Sequence, residues 1–552
     1  MKKKEINPIH RRLVHFAFLS LLAFSLLEIR LFWIQIKNHD RFKYEALRQR
    51  AKEISLYPNR GIIYDRNLIP LTNVNRKNTL LVFRENIFKD RELMDFILEN
   101  TDLDYRDVIS YSQNSDEILA IPLKGEVENI DISKNMFITE RTERYSDNNL
   151  LSHVIGYINK SENRGESGIE KVYDDILVNQ KRRNSLYLDF DDKQNIFLGG
   201  EYQVDHSISS LEPSAVKLTV DYHIQKIVEE TMDLYNVNGA VVVADVETGD
   251  IMALASRPNF NQRSIEEYLE REDMTLYNKA IQVGYPPGSL FKTVVLLAAL
   301  EDNLEYLDKS FYCNGYEKIG EVVIKCNKTE GHGHIDINEA FSLSCNSAFI
   351  QLGKEVGSKK IMDMAKRLGF GNRINIGLLE EISGILPEGE EIKGPAIGNI
   401  SIGQGSIEVT PIQITNLMMI IANDGVMKPM SIVEGITAED GTMIKPYNRP
   451  EKRQVLSITT SRIIKDFLID VVEYGTARNL DLDDIGGAAG KTGSAQAILN
   501  RQETIHGWFT GFYPVDEPEY VITVIVEEGV SGAQSAVPIF EKIAKEIHRI
   551  NR

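Results

Sequence analysis

The chain of 552 residues carries 63 Lys and Arg against 81 Asp and Glu, a formal charge of −18, and 42% of it is apolar. That length exceeds one core and suggests two to four domains at roughly 150 residues each, while the composition excludes collagen-like and low-complexity chains. The acidic balance argues against nucleic-acid binding by the main body, and three cysteines exclude a disulfide scaffold or a four-cysteine zinc module.

In chain order, Lys2, Lys3, Lys4, Arg11 and Arg12 precede Leu13–Leu27, a run with no Asp, Glu, Lys or Arg. At about 1.5 Å per residue that run falls short of the roughly 30 Å hydrocarbon core of a bilayer. Glu28 and Arg30 interrupt it before Leu31–Ile34 continues. A transmembrane helix over 13–36 is therefore expected, with Glu28 and Arg30 snorkelling to one interface and Trp33 at headgroup level. No small-x-small cleavage pattern follows, which favours a retained signal anchor over a removed signal peptide. Lys37, Arg41, Lys43 and Arg48 follow the span, so charge alone leaves its orientation open. With no second apolar run of about 20 residues, everything after it is expected on one face of the membrane.

Residues 38–205 are polar and poor in long apolar helices, with β-rich pieces such as Thr79–Phe83. Arg60–Arg66 reads as a strand entering a turn, with Asp65 and Arg66 in local ion pairs. From Leu218 the pattern sharpens. Ile224, Ile227, Val228 and Met232 set a helical period over 221–234. Gly239–Val246 and Ile251–Ala255 read as strands about a glycine turn, Trp508–Phe512 and Tyr520–Val526 as two more, and Pro538–Ile550 as a terminal helix. Strands at both ends with helices between predict one α/β domain whose sheet joins the two ends of this segment.

Three short motifs carry chemistry. In the first, Pro286, Pro287 and Gly288 cannot continue a helix, and the apolar run after them can form a buried one. Ser289 then stands at the helix start with Lys292 one turn on, on the same face. A serine hydroxyl becomes a nucleophile when a base lies within hydrogen-bond reach, and a lysine serves if burial or another cation destabilises its ammonium. Alone, Ser-x-x-Lys arises by chance on the order of once or twice in such a chain, and a serine cap with a surface lysine explains it as well. The second motif, Ser344-Cys345-Asn346, can point a hydroxyl and an amide into one cleft; a helix-capping turn is the plainer alternative. In the third, Lys491, Thr492, Gly493 and Ser494 follow the small residues Gly486–Gly490, which keep a strand face open to a ligand backbone. Lys491 and Thr492 suit a carboxylate.

Together, in this order, the motifs resemble the Ser-x-x-Lys, Ser-x-Asn and Lys-Thr-Gly signature of penicillin-binding proteins and class A β-lactamases. Arg60–Asn67 is similar to the N-terminal motif of class B, monofunctional penicillin-binding proteins, with Leu68 where those have glycine. His153–Gly156 and Gly168–Glu170 resemble two further pedestal motifs, and Ser401–Gly405 with Thr410–Gln413 resembles a segment of the transpeptidase core. The resemblance implies an α/β (α+β) serine transpeptidase/β-lactamase-like domain after a membrane anchor and a mixed, β-rich pedestal. The expected division is a cytoplasmic tail at 1–12, a signal anchor at 13–36, a pedestal at 37–205 and a transpeptidase domain at 206–552.

The resemblance further implies a D,D-transpeptidase acting on peptidoglycan stem peptides ending in D-Ala-D-Ala, inhibited by β-lactams, with an extracytoplasmic catalytic domain. Ser289 is the implied nucleophile and Lys292 its base. Ser344, with Lys491 nearby, relays a proton to the leaving D-Ala. Asn346 holds the donor amide, Thr492, Gly493 and Ser494 line the carboxylate site, and the N–H groups of Ser289 and Ser494 form the oxyanion hole. No cofactor, no metal and no nucleic acid are expected. The implied partners are the cytoplasmic membrane and a polytopic membrane glycosyltransferase, coupled through Arg60 and Asp65, whose substitution should spare acylation. A β-lactam sensor on the same fold is the alternative; a β-lactamase would not need residues 38–205, and intact motifs oppose a purely scaffolding role.

Cys313 and Cys326 flank a predicted hairpin over 315–325 and could form a disulfide, with Cys345 left as a free thiol. A zinc site using them with His332 and His334, or free buried cysteines, are the alternatives.

Overall fold

The computed structural model describes residues 8–39, 41–42, 45, 52–55, 60–112, 118–125, 136–178, 185–188, 212–271, 273–499 and 502–551. The expected domain boundary after residue 205 lies outside them. The chain packs into two compact units interleaved along the sequence. One takes Met1–Pro58, Arg76–Glu143 and Lys181–Ile208; the other takes Asn59–Asn75, Arg144–Gln180 and Ser209–Arg552. The expected pedestal segment thus contributes two stretches to the same unit as the three motifs.

The first unit contains the apolar helix. Ile9–Lys37 is helical over 29 residues, and no residue of its most apolar window is buried. Among the described residues it is the one helix long and apolar enough to cross a membrane. The same unit has a three-stranded sheet ordered Ile118–Pro122, Asn75–Phe83, Met136–Glu143. Leu80 and Val82 alternate onto one strand face and pack with Leu119, Ile121 and the helix residues Leu93 and Ile97. That helix, Arg91–Asn100, starts where the Asp90 carboxylate accepts from the N–H groups of Glu92 and Leu93.

The second unit is built on a five-stranded antiparallel sheet: β1 (Gly239–Asp245), β2 (Ile251–Arg257), β3 (Ala489–Leu499), β4 (Gln502–Tyr513) and β5 (Tyr520–Val526) in the order β2-β1-β5-β4-β3. Strands from both ends of the segment meet where β1 pairs with β5, Val242 opposite Thr523. Every residue of β1 up to Ala244 is buried, so both faces are covered. Helices Tyr222–Leu234 and Val537–Asn551 pack on each other and on the sheet, and Pro411–Ala422 packs on β1, β4 and β5. Helix α1 (Lys292–Asp302) is buried from Lys292 to Leu300 on all sides, which its unbroken run of apolar residues requires.

A second sheet in this unit brings distant segments together. Ile63–Tyr64 runs parallel to Ala215–Leu218, which pairs with Val433–Thr437 and then Met443–Pro446. The expected strand over 60–66 shrinks to two residues because Asp65 ends it: its carboxylate accepts from the N–H groups of Asn67, Ile69 and Tyr222. The Arg66 guanidinium reaches the Met252 sulfur, 2.5 Å away. The ion pairs of Arg60 are long-range, Nε to Glu170 Oε2 at 2.8 Å and Nη1 to Asp174 Oδ1 at 2.8 Å.

Candidate active site

Ser289 does not open an α-helix as its spacing predicts. It sits in a 3₁₀ turn, Gly288–Phe291, that precedes α1. Gly288 enters the turn at φ +54°, and a β-carbon there would lie 2.8 Å from the Ser494 carbonyl oxygen. The Ser289 turn is therefore seated against the Lys-Thr-Gly stretch of β3. Trp508 on β4 adds a second tie, its indole N–H donating to the Pro286 carbonyl at 3.2 Å.

Lys292 is fully buried. Its Nζ lies 3.1 Å from Ser289 Oγ, 2.7 Å from Ser344 O, 3.1 Å from Ser344 Oγ and 2.7 Å from Asn346 Oδ1. Four oxygens exceed the three N–H groups of an ammonium. Either protonation state makes three bonds: the ammonium donates three, and the neutral amine donates two, to the Ser344 carbonyl and the Asn346 amide oxygen, and accepts one from a single hydroxyl. Burial lowers the Lys292 pKa from 10.5 to about 8, opposed in part by the neighbouring thiols of Cys345 and Cys326.

Ser344 occupies the corner between helix Ile337–Ser342 and α2 (Asn346–Val356). Its φ is +55°, a left-handed conformation that a non-glycine residue adopts at a cost of about 1 kcal/mol or more. The capping turn is present, with Cys345 the N-cap of α2 and its Sγ accepting from Ala348 N–H at 3.4 Å, and the neighbouring Ser344 and Asn346 side chains both bond Lys292 Nζ. Asn346 is clamped from both ends, with Nδ2 donating to Lys325 O at 3.0 Å and Oδ1 accepting from Lys292.

Lys491 and Thr492 are buried on β3, and Ser494 is exposed. Burial first, and then the charge of Lys292, push the Lys491 pKa well below its ordinary value. Lys491 Nζ donates to Thr492 O at 3.3 Å and stands 5.4 Å from the Phe341 ring centre. A β-carbon on Gly493 would be a tight fit, 3.0 Å from Leu290 and 3.1 Å from both Pro287 O and Trp508. Two residues of this site escape sequence reasoning. Thr476 shares a 2.5 Å hydroxyl–hydroxyl bond with Thr492, and Gly532 N–H donates to Ser494 Oγ at 3.1 Å. The available signal for Thr476 was Gly475 just past a helix end; a β-carbon there would meet Ser342 O at 2.3 Å.

Beside Ser344 lies a second cluster. Cys313, Cys326 and Cys345 are free and buried, so the expected Cys313–Cys326 bridge is not formed. Cys326 turns instead to Cys345, Sγ to Sγ 3.7 Å, and to His332 Nδ1 at 3.6 Å. One donor atom from each of Cys313, Cys326, His332 and Cys345 lies within 4.8 Å of the others. A tetrahedral zinc with Zn–S bonds of roughly 2.3 Å spaces its sulfurs about 3.8 Å apart, and three thiolates with one imidazole form a standard structural set. These four residues fit such an ion, which would tie their segments together. His334 takes no part; it is exposed and packs on Tyr312 at 4.8 Å. A hydrogen bond from Cys345 holds the Cys326 thiol below its ordinary range, and the same bond pushes Cys345 up.

The family described as the penicillin-binding protein transpeptidase domain matches residues 239–545, over half the chain. The chain belongs to that family and is a class B penicillin-binding protein. Stage V sporulation protein D of Bacillus subtilis is 28% identical over 98% of this chain and 85% of its own. Peptidoglycan D,D-transpeptidase MrdA of Acinetobacter baumannii is 27% identical over 97% of this chain and 87% of its own. The solved penicillin-binding protein PBP2 of Helicobacter pylori, 21% identical, superposes with a TM-score of 0.70 over 90% of this chain and 99% of that one, which shows the shared fold.

Proposed function

We propose that this protein cross-links peptidoglycan stem peptides through an acyl-enzyme on Ser289. The observation that carries this reading is the Lys292 amine at the centre of Ser289, Ser344 and Asn346. Ser289 Oγ attacks the penultimate D-Ala carbonyl as Lys292 takes its proton. The oxyanion is met by the N–H groups of Ser289 and Ser494. The peptide C–N bond breaks, and the leaving D-Ala amine gains a proton through Ser344, with Lys491 close by. Thr492, Gly493 and Ser494 seat the terminal carboxylate, and Asn346 holds the donor amide. An amine of a neighbouring stem peptide then attacks the ester and frees Ser289. A β-lactam enters as a mimic of the D-Ala-D-Ala end and stalls at the ester.

The substrate places the second unit outside the cytoplasmic membrane, with Ile9–Lys37 as the single span. A polytopic membrane glycosyltransferase that makes the glycan strands is the partner such an enzyme requires. The test is to label the full-length protein with a fluorescent penicillin and map the adduct by peptide mass spectrometry. Label is expected on Ser289 and absent from Ser289→Ala; an adduct on another serine removes the assignment. Release of D-Ala on adding a stem peptide and an acceptor amine separates a transpeptidase from a sensor, which acylates without turnover.

A further inference from the structure

The segments that hold Ser289 and Ser494 lead back to one carboxylate, Glu527, just past the end of β5. Glu527 Oε1 accepts from the Tyr285 hydroxyl at 2.6 Å, and Oε2 accepts from Lys279 Nζ at 2.7 Å. Lys279 Nζ also donates to Asn238 Oδ1 at 2.6 Å, and the Glu527 N–H donates to the Asn238 carbonyl at 2.7 Å. Tyr285, Lys279 and Glu527 are each at least nine-tenths buried. A buried ion pair offsets its desolvation only when both groups are fixed and fully bonded, so this one marks a rigid point. Burial first, and then the Glu527 charge, push the Tyr285 pKa well above its ordinary value, so the phenol keeps its proton and donates. From this point two short segments run into the site. Tyr285 is followed by Pro286, Pro287, Gly288 and Ser289, and the prolines leave that segment little freedom. The Tyr285 ring stands edge-on to the rings of His506 and Trp508 at 5.5 and 5.9 Å, and the Trp508 indole holds the Pro286 carbonyl. On the other side, the chain after Glu527 reaches Gly532, whose N–H donates to Ser494 Oγ at 3.1 Å. A β-carbon on Gly532 would lie 2.3 Å from the Trp508 carbonyl oxygen and 2.4 Å from that of Gly493, so this segment too is seated without slack.

We propose that Glu527, acting through Tyr285 and Lys279, is a positioning residue that sets the spacing of the Ser289 and Ser494 N–H groups in the oxyanion hole. The proposal rests on the acyl transfer to Ser289 proposed above. One carboxylate oxygen fixes the residue that opens the Pro-Pro-Gly-Ser turn. The other is fixed by Lys279, which keeps the start of the segment to Gly532 from sliding along β5. An oxyanion is stabilised by both donors only when each lies about 2.7–3.1 Å from it, so a displacement of either segment weakens the hole. The three side chains are buried, and their effect reaches the reacting carbonyl through the two segments they hold.

The experiment acylates the full-length protein in detergent with a penicillin carrying carbon-13 at its β-lactam carbonyl. Isotope-edited infrared difference spectra read the ester carbonyl band, alongside the acylation rate constant, the dissociation constant of the non-covalent complex and a thermal melt. Tyr285→Phe keeps the ring packing and removes one hydroxyl. Glu527→Asp keeps the charge and draws the carboxylate back by about 1.5 Å. In both, the acylation rate constant is expected to fall by about 10-fold, part of the roughly 100-fold or more that loss of a whole oxyanion donor costs, with the dissociation constant unchanged. The ester band is expected to move to higher frequency, because a carbonyl with weaker hydrogen bonds is less polarised. Glu528→Gln, at the exposed next position, removes a charge without touching these bonds and is expected to keep the wild-type band and rate. An unmoved band in Tyr285→Phe, whatever the melt shows, makes the cluster a structural strut and overturns the proposal. An equal shift in Glu528→Gln overturns it too, since charge rather than bonding would then be the cause. An adduct away from Ser289 in the wild-type protein removes the catalytic reading and this proposal with it, whereas an ester on Ser289 whose band the variants leave unmoved removes the positioning role alone.

Discussion

Lys292 shows what a single side chain gains from its surroundings. Three residues after Ser289, its place in the motif was plain from spacing. The cause of its altered basicity was not, because burial is a property of the packed unit. Sequence reasoning offers burial or a second cation as the cause; the structure assigns the shift to burial at Lys292, with charge repulsion entering second and only at Lys491. The consequence is a pH profile. Lys292 accepts a proton only when neutral, so the rate of penicillin acylation is expected to rise with pH, pass half its maximum near 8 and level off about one unit above that. Stopped-flow labelling from pH 6 to about 10 checks this, and a profile still rising toward 10.5 removes Lys292 as the base. Stability carries the same sign. Between about 8 and 10.5 the unfolded chain binds the extra proton, so this group adds stability as pH rises through that window, and its contribution is lost below it.

At the scale of elements, the site depends on a few backbone joints. The strands of the main sheet were legible because continuous apolar runs such as Gly239–Val246 are bounded by turn residues. The 3₁₀ turn around Ser289 was not, since no local signal separates it from the first turn of α1. Nor was the left-handed corner at Ser344, where tertiary bonds from Lys292 offset the strain. Gly288 is the joint that a substitution tests most directly. Alanine there would be held at φ +54° with its β-carbon 2.8 Å from the Ser494 carbonyl oxygen, and the obstacle is backbone that cannot swing aside. Gly288→Ala is expected to cost about 1–2 kcal/mol of stability and to open the gap between the Ser289 turn and β3. Labelling should fall by about 100-fold if the displacement reaches about 1 Å. A thermal melt with the labelling rate decides it: unchanged values in both would mean that the turn is not seated on β3.

Across the whole molecule, the chain order and the compact units do not coincide, and this changes what the motif around Arg60 is for. Its place after the membrane span suggests a coupling surface whose substitution leaves acylation intact. In the structure, however, Arg60, Arg144 and Glu170 are buried together inside the unit that carries Ser289. Glu170 accepts from Arg60 Nε at 2.8 Å, Arg144 Nε at 2.7 Å and the Tyr145 hydroxyl at 3.2 Å. Arg60 also meets Asp174 at 2.8 Å and donates to the Asn163 carbonyl. The sequence shows Arg60 and Glu170 as separate motifs, and only the fold of the second unit makes them one. Removing one member of a buried ion cluster leaves the others charged and without partners, at a cost of about 3–5 kcal/mol. Glu170→Gln keeps the volume and removes the charge that two arginines share. It is therefore expected to lower the unfolding free energy of this unit by that amount and to make penicillin labelling fail at a lower temperature, with the room-temperature rate nearly unchanged. Denaturant unfolding followed by Trp508 fluorescence, together with labelling along a temperature ramp, measures both. Loss of wall synthesis in cells with no change in either measurement would return the cluster to the coupling role.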